Sequence, residues 1–583
     1  MTARRGSIAL SAVLLVACGS PTAPPPGAPE VPARPPPRQP APPPVSSLPR
    51  DEATLVTLDF PATLDCNATA SARVVMRNSG TTSWTRAAAF RLGAVDDSDP
   101  LNRDGRVELP ADVTVAPGDE VEFTVALRAP AAEGQLVSDW RMLQEYVRWF
   151  GETVRATVQV TCPRRPARAG RVRLQGRALV DDDGAFQALG ATLFWAPWAY
   201  KHDRPKLEAA LALLQQNGFH YLRALGVVGD PNGPDYWDGR EIDVHWSDYD
   251  AVIAGLTDLA YDQYGLRVQW TLIGDGQFAV PTSADRYALA DRFLAMSHGR
   301  EHKLMLFEVA NEAWQNGFPG SGGVAELRAL TRYLNDRTDV LVAASAPDGH
   351  DCAAVEALYS GDVADVATIH FDRDVSKTEG PWRPVRQPWE HLYCAAPVGS
   401  NNEPIGPGSS VASETDPVRL NAAAVATYVA NIPFYVFHTR AGVRGDAPLS
   451  DMAGLGAFTA LASFVPGDLS AWTRKNAHWA DSPFRAFAGD ASGTLHADAM
   501  WPDFGAGATS GAVRAYGDVA DDGRFFVFAM GIKGSAFFEP RRPVDFDVIE
   551  PMTGAVRAHL SLGADERFEL TGGEAFVLRG QYR

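Results

Sequence analysis

The run Leu304-Met305-Leu306-Phe307-Glu308-Val309-Ala310-Asn311-Glu312 decides how the middle of this chain folds. Leu304–Ala310 reads as an apolar strand, and it ends abruptly on two polar residues, Asn311 and Glu312. Seven more runs of the same kind follow from the sequence: Ala191–Trp195, Tyr221–Leu225, Arg267–Ile273, Val340–Ala344, Val366–Ile369, Val398–Asn402 and Phe434–Phe437. Amphipathic stretches such as Lys206–Asn217 and Arg286–Met296 lie between them and predict helices. Eight strands alternating with helices predict a parallel (β/α)8 barrel, a TIM barrel, over residues 164–466. In such a barrel the ligand-facing residues sit just after each strand. Here those positions offer Trp195 and Trp198, Arg223, Asp275, Asn311 and Glu312, His370 and Asp372, Glu403, and His438.

Two of these stand apart. Glu312 closes the fourth strand and Glu403 the seventh, on opposite sides of the predicted mouth, so their carboxylates can face each other across a bound sugar. Glycoside hydrolysis needs that arrangement. One carboxyl is held protonated to donate to the leaving oxygen, and the other is ionised to attack the anomeric carbon, at about 5–5.5 Å for a retaining double displacement. A cation such as Arg223 favours the ionised partner. Glu308, inside the fourth strand, reads as a buried structural carboxylate bonded to Arg223 or a neighbour, and Glu414 is a rival nucleophile in a polar loop. His370, Asp372 and His438 lack a helix-spaced histidine pair, so no metal is expected. No cofactor is expected either, because two carboxylates suffice.

These segments resemble clan A glycoside hydrolases, most closely family 5 and its relatives, across nearly the whole barrel. The resemblance rests on Gly190-Ala191-Thr192-Leu193-Phe194-Trp195, Gly218-Phe219-His220-Tyr221-Leu222-Arg223, Phe307-Glu308-Val309-Ala310-Asn311-Glu312 and Glu403-Pro404-Ile405-Gly406. It implies Glu312 as acid/base, Asn311 as a donor to the substrate 2-hydroxyl, Glu403 as nucleophile and Arg223 as its electrostatic partner. Trp195, Trp198, Asp275, His370 and His438 become candidate substrate contacts, and the partner is a carbohydrate with β-linked units. Three strand ends depart from the family pattern: Gly274-Asp275-Gly276-Gln277, His370-Phe371-Asp372 and Phe437-His438-Thr439-Arg440. They imply an altered sugar site. They also leave room for an alternative, a non-catalytic carbohydrate-binding or cell-surface scaffold lipoprotein with a degenerate barrel.

Outward from the barrel, period-two alternation takes over on both sides. Residues 51–163 carry runs such as Glu120-Val121-Glu122-Phe123-Thr124-Val125 between turn signals, which predict a β-sandwich. Trp84, Trp140 and Trp149 with Arg77-Asn78-Ser79-Gly80 resemble a four-tryptophan immunoglobulin-like domain whose first tryptophan is missing near Val74 or Val75. These aromatics are expected in its core. Residues 467–583, with Arg524-Phe525-Phe526-Val527-Phe528-Ala529-Met530, predict a second, accessory sandwich that packs on the barrel. The fold class is therefore multidomain, an α/β barrel flanked by two β-sandwiches.

At the amino terminus, Arg4 and Arg5 precede an apolar run, Ile8–Ala17, that is too short to span a bilayer. The sequence Leu15-Val16-Ala17-Cys18-Gly19 looks like a bacterial lipobox. Residues 1–18 are thus expected to be a lipoprotein signal, Cys18 the lipidated residue, and the Pro-rich residues 19–50 an extended disordered linker. The protein is expected to be exported, lipid-anchored to the bacterial cell envelope and monomeric. Export leaves Cys66, Cys162, Cys352 and Cys394 in an oxidising compartment, where Cys66–Cys162 and Cys352–Cys394 are the expected pairs. With 53 Lys+Arg against 71 Asp+Glu, the net charge of −18 repels phosphate backbones, so nucleic acid is not an expected partner.

Overall fold

The computed structural model describes residues 49–583, apart from 67, 103, 131–132, 162–165, 230–236, 350, 374–379, 392–396, 409–412, 477–481, 490–494, 497–513 and 533. The expected signal segment with Cys18 and nearly all of the Pro-rich linker lie outside the described residues.

Eight parallel strands close into a barrel: β1 Ala188–Thr192, β2 Tyr221–Val227, β3 Arg267–Ile273, β4 Leu304–Ala310, β5 Val342–Ala343, β6 Val366–Ile369, β7 Val398–Asn401 and β8 Phe434–Phe437. Ala188 pairs with Phe434, which seals β1 to β8. Every residue of β2, β3 and β4 is buried. A strand covered by helices on one face and by the barrel interior on the other has no wet side, which is why these runs are mostly apolar and lack a polar alternation; their few polar residues, such as Arg223, Gln269, Thr271 and Glu308, are buried as well. The helix Arg204–Gln216 starts on an Asp203 cap, and Ser283–Ser297 starts on a capping box between Thr282 and Asp285.

The first strand lies three residues earlier than the sequence predicts. The chain leaves β1 after Thr192 and turns into the helix Ala196–His202, with Trp195 as its buried N-cap residue. An apolar run that continues into a buried helix start cannot be separated from strand by composition alone.

Residues 51–161 form two main sheets of three and five strands, joined by a two-stranded ribbon of Trp84–Thr85 against Thr114–Val115. Trp84 and Trp140 are fully buried between them with Phe90 and Phe150, and Val74 and Val75 occupy the core where the missing tryptophan was expected. Trp84 and Trp140 therefore hold the sandwich together as expected, whereas Trp149 is only half-buried outside that core, with Arg106 over its ring. Cys66 is disulfide-bonded; its expected partner Cys162 lies outside the described residues. Cys352 opens the helix Cys352–Tyr359, and its expected partner Cys394 lies outside the described residues. An even cysteine count supplies no geometry, and a bridge needs Cβ atoms about 4 Å apart.

The C-terminal sandwich has sheets of six and four strands. It packs on the barrel along the helix Pro417–Val429, whose residues from Leu420 onward are all buried. Tyr516 of the sandwich stacks on Trp389 of the barrel at 4.7 Å between centroids, and Arg474 lies over the Trp389 ring. Asp518 is fully buried in the same sheet and accepts from Asn431 Nδ2 at 3.3 Å. Burial pushes its carboxyl well above the usual range, against the pull of Arg474 and Asn431. Because the unfolded chain releases that proton more readily, stability falls as pH rises above 3.8 towards the folded value. Asp518→Asn keeps the acceptor and removes the ionisation. Its melting temperature is expected to exceed the parent's by a few degrees at pH 8, with the gap closing by pH 4 in a pH series of thermal unfolding.

No helix among the described residues is long and apolar enough to cross a membrane.

Candidate active site

The site is organised by an arginine with no contact with water. Arg223, in the middle of β2, is 0% exposed. Its Nη1 donates to Glu403 Oε1 at 3.0 Å, and its Nη2 donates to Glu308 Oε2 at 2.9 Å and to Asn311 Oδ1 at 2.8 Å. Burial works against its charge, and Glu308 and Glu403 more than offset it. Glu308 is the interior carboxylate expected from the sequence: Asn402 Nδ2 donates to its Oε1 at 2.8 Å and Thr271 donates to its Oε2. With all its oxygens engaged inside the barrel, Glu308 is a scaffold for Arg223 rather than a reactive group.

Glu403 follows β7 and has a side chain only 7% exposed. Besides Arg223, Arg373 Nη2 stands 3.5 Å from its Oε2, and His370 and His438 each approach to 3.6 Å. Burial alone would push this carboxyl up, but His370, His438, Arg223 and Arg373 together hold it well below the usual carboxylate range. Burial drives His438 the other way, down to about 3. His438, neutral at pH 7, contributes little charge there, whereas Arg223 and Arg373 are permanent cations beside Glu403. His438 Nδ1 is itself fixed 2.9 Å from Thr192 Oγ1.

Glu312 follows β4 and is more open, with 23% of its side chain exposed. Its backbone φ is +41°, a left-handed conformation unusual for a residue with a Cβ. Hydrogen bonds on both sides hold it there: Asn311 N donates to Ile273 O at 2.9 Å and Ala313 N to Ser345 Oγ at 2.9 Å. Gln315 Nε2 donates to Glu312 Oε2, and His370 Nδ1 lies 2.9 Å from Glu312 Oε1. His370 therefore stands between the two carboxylates. One oxygen of Glu312 and one of Glu403 lie within 4.8 Å of each other.

Both glutamates line a cleft of about 580 Å³ at the carboxyl end of the barrel, together with Asn311, Asp275 and His438. The sequence-predicted Glu312, Glu403, Asn311, Arg223, His370, His438 and Asp275 are thus gathered in and beneath one cleft. Asp275 acts there through a neighbour: its Oδ2 accepts from Trp237 Nε1 at 2.9 Å and from Gly229 N at 3.0 Å. Two expected contacts need correction. Trp195 is 1% exposed, donates its Nε1 to Ala441 O at 2.8 Å and packs in the core, so its ring faces no ligand. Trp198 packs partly buried against the core, near His202 and Arg240, and does not line the cleft. The rival Glu414 is buried beside Arg419, accepts from the N–H groups of Thr415 and Asp416, and also stands outside the cleft.

Phe194, Trp237, Arg373 and Arg440 line the cleft and were not expected there. Trp237 is ten residues beyond the end of β2, in a loop with no periodicity to read. Arg373 directly follows the strand-end segment His370-Phe371-Asp372, and Arg440 closes the segment Phe437-His438-Thr439-Arg440, where nothing in the spacing separates it from a solvated surface arginine.

Glu312, His370 and Glu403 are also close enough to share a metal ion. Two guanidiniums within 3.5 Å of Glu403 oppose a dication there. The donor set fits a pair of reacting carboxylates better.

Residues 59–160 match the family model for the Ig-like domain from next to BRCA1 gene. No curated protein matches the chain by sequence. Among solved structures, a protein described as a glycoside hydrolase is similar over 71% of this chain and 97% of its own, with 13% identity and a TM-score of 0.48. A glycoside hydrolase family 5 protein from Bacteroides vulgatus ATCC 8482 is similar over 71% of this chain and 93% of its own, at 12% identity and a TM-score of 0.48. A β-mannanase from the blue mussel Mytilus edulis is similar over 52% of this chain and 99% of its own, at 13% identity and a TM-score of 0.36. At these identities and scores the likeness decides nothing about activity, and the chemistry has to be read from the side chains.

Proposed function

We propose that this protein is a retaining glycoside hydrolase that cleaves β-linked oligo- or polysaccharide, with Glu403 as nucleophile and Glu312 as acid/base. The observation that carries this reading is the pair of carboxylates within 4.8 Å across an open cleft, in unlike surroundings. Retaining enzymes space the two groups at about 5–5.5 Å, whereas inverting ones need about 6.5–9.5 Å to admit a water. In the first step Glu403 attacks the anomeric carbon while Glu312 gives its proton to the departing glycosidic oxygen. In the second, Glu312 takes a proton from water, whose oxygen attacks the same carbon and displaces Glu403. Arg223 and Arg373 stabilise the Glu403 carboxylate when it leaves, and Asn311, oriented by Arg223, is placed to donate to the sugar. The same reading takes the protein to be an exported monomer tethered by a lipid on Cys18; the support for the tether is the sequence from Arg4 to Gly19.

Incubation with 2-deoxy-2-fluoro-β-glycosides carrying a dinitrophenolate leaving group tests the mechanism. Time-dependent inactivation with a single adduct mapped to the Glu403 peptide is expected. Hydrolysis with inverted product anomers and no adduct would reject it, and saturable binding without turnover would favour a carbohydrate-binding role. Glu312→Gln is expected to slow natural glycoside cleavage by about a hundredfold to ten-thousandfold. Aryl glycosides whose leaving group needs no proton should suffer far less in their first step.

A further inference from the structure

Among the described residues of the barrel, only two large apolar side chains are substantially exposed, Phe278 at 46% and Trp314 at 41%. The other exposed large apolar residues belong to the flanking sandwiches. Both barrel aromatics sit at the mouth. Phe278 is in the short turn Gly276–Ala279 after β3, three residues beyond Asp275, and Trp314 is two residues beyond Glu312 after β4. Their two loops pack together. A Cβ on Gly276 would lie 2.8 Å from Asn316 O, and one on Gly317 would lie 2.9 Å from Gln277 N, so only glycine admits this approach at either position. Asp275, Glu312, Gln315 and Asn316 of the same loops line the cleft, while Phe278 and Trp314 stand on those loops outside its lining, so any sugar they meet lies beyond the two carboxylates. Leaving two large aromatic rings in water forfeits the gain of burying them, and rings beside a polar cleft offer flat faces to the apolar faces of sugars.

We infer that Trp314 and Phe278 form a sugar-stacking subsite on the leaving-group side of Glu312, so that the natural substrate is a carbohydrate chain continuing past the cleaved bond rather than a single sugar on a small aglycone. This rests on the hydrolytic reading above for the side of the bond it serves. Glu312, which protonates the leaving oxygen, lies in the same loop as Trp314, and that places the rings next to the leaving portion. Glu403 stands at the end of β7, across the mouth.

The test uses the full mature chain, with β-1,4-linked hexaoses of glucose, xylose and mannose and the matching aryl glycosides as probes. Trp314→Ala and Phe278→Ala are expected to lower kcat/KM on the cleaved hexaose about tenfold each, and on the aryl glycoside by a much smaller factor. Tyr146→Ala, which removes a fully exposed ring on the N-terminal sandwich, is the control and should change neither. Equal losses on both substrates, or no loss on the hexaose, would overturn the subsite. Titration of Glu312→Gln with the same hexaoses separates this inference from the hydrolytic one. Weaker binding on adding Trp314→Ala, when the wild-type protein cleaves none of the hexaoses, upholds the subsite and discards hydrolysis. Cleavage with hexaose affinity unaffected by both substitutions upholds hydrolysis and discards the subsite, and no binding of any hexaose discards it too.

Discussion

Glu403→Gln is expected to lower turnover by about a thousandfold or more while the protein folds as before. The amide has nearly the same shape and can still accept from Arg223 Nη1 through its oxygen, so packing around β7 is kept. It cannot attack the anomeric carbon. The structure also predicts how the intact residue responds to acid. Since the surrounding cations hold Glu403 below the usual carboxylate range, its ionised form persists well into acid and is lost only as pH falls through that depressed value. The acid limb of kcat/KM set by Glu403 is therefore expected below about pH 4. Steady-state rates from pH 3 to 9, with thermal unfolding of both proteins to confirm the fold, check both statements. Near-normal turnover in Glu403→Gln would remove it from the chemistry.

Arg223→Met carries the largest expected cost in stability. The substitution fills much of the space but leaves Glu308 and Glu403, which are 0% and 7% exposed at their side chains, without their guanidinium. Breaking a buried pair in this way costs about 3–5 kcal/mol, because a charge stays buried without a partner. Two consequences should separate in experiment. Denaturant unfolding reads the loss of stability, and the acid limb of activity should move to higher pH as Glu403 loses a cation. Arg223→Lys restores the charge without the planar fork that reaches Glu403, Glu308 and Asn311 together. It should recover part of the stability and little of the activity, and it keeps the test open if the methionine variant does not fold. Wild-type stability in Arg223→Met would mean that the two carboxylates find other partners.

Much of this architecture is legible in the chain because burial on two faces writes itself as mostly apolar sequence without a polar alternation. Seven of the eight barrel strands fall where their runs predict them, within a residue or two at most ends. Val340–Ala344 shrinks to the pair Val342–Ala343 under strand criteria. Polar residues inside the strands, such as Arg223, Gln269, Thr271 and Glu308, are buried and bonded to one another, whereas those that follow the strands fall at the mouth, where they can reach a ligand or water. Trp195 shows the limit of that reasoning. A tryptophan at a strand end satisfies the same pattern whether its ring faces the mouth or turns under the next helix, and only the position of Ala441, 246 residues away, decides between them.

What the sequence determines by itself is therefore periodic and local: the order of the elements, the barrel between two sandwiches, and the glutamates that close the fourth and seventh strands. What only the tertiary structure decides is convergence. That a neutral His438 and a cationic Arg373 share Glu403, that His370 spans both carboxylates, and that Trp237 reaches the cleft from an aperiodic loop depend on closure of the barrel. Closure brings residues tens to hundreds of positions apart within a few ångströms, and the energies that matter there, Coulombic and desolvation, depend on distance in space and on exposure, neither of which spacing along the chain encodes.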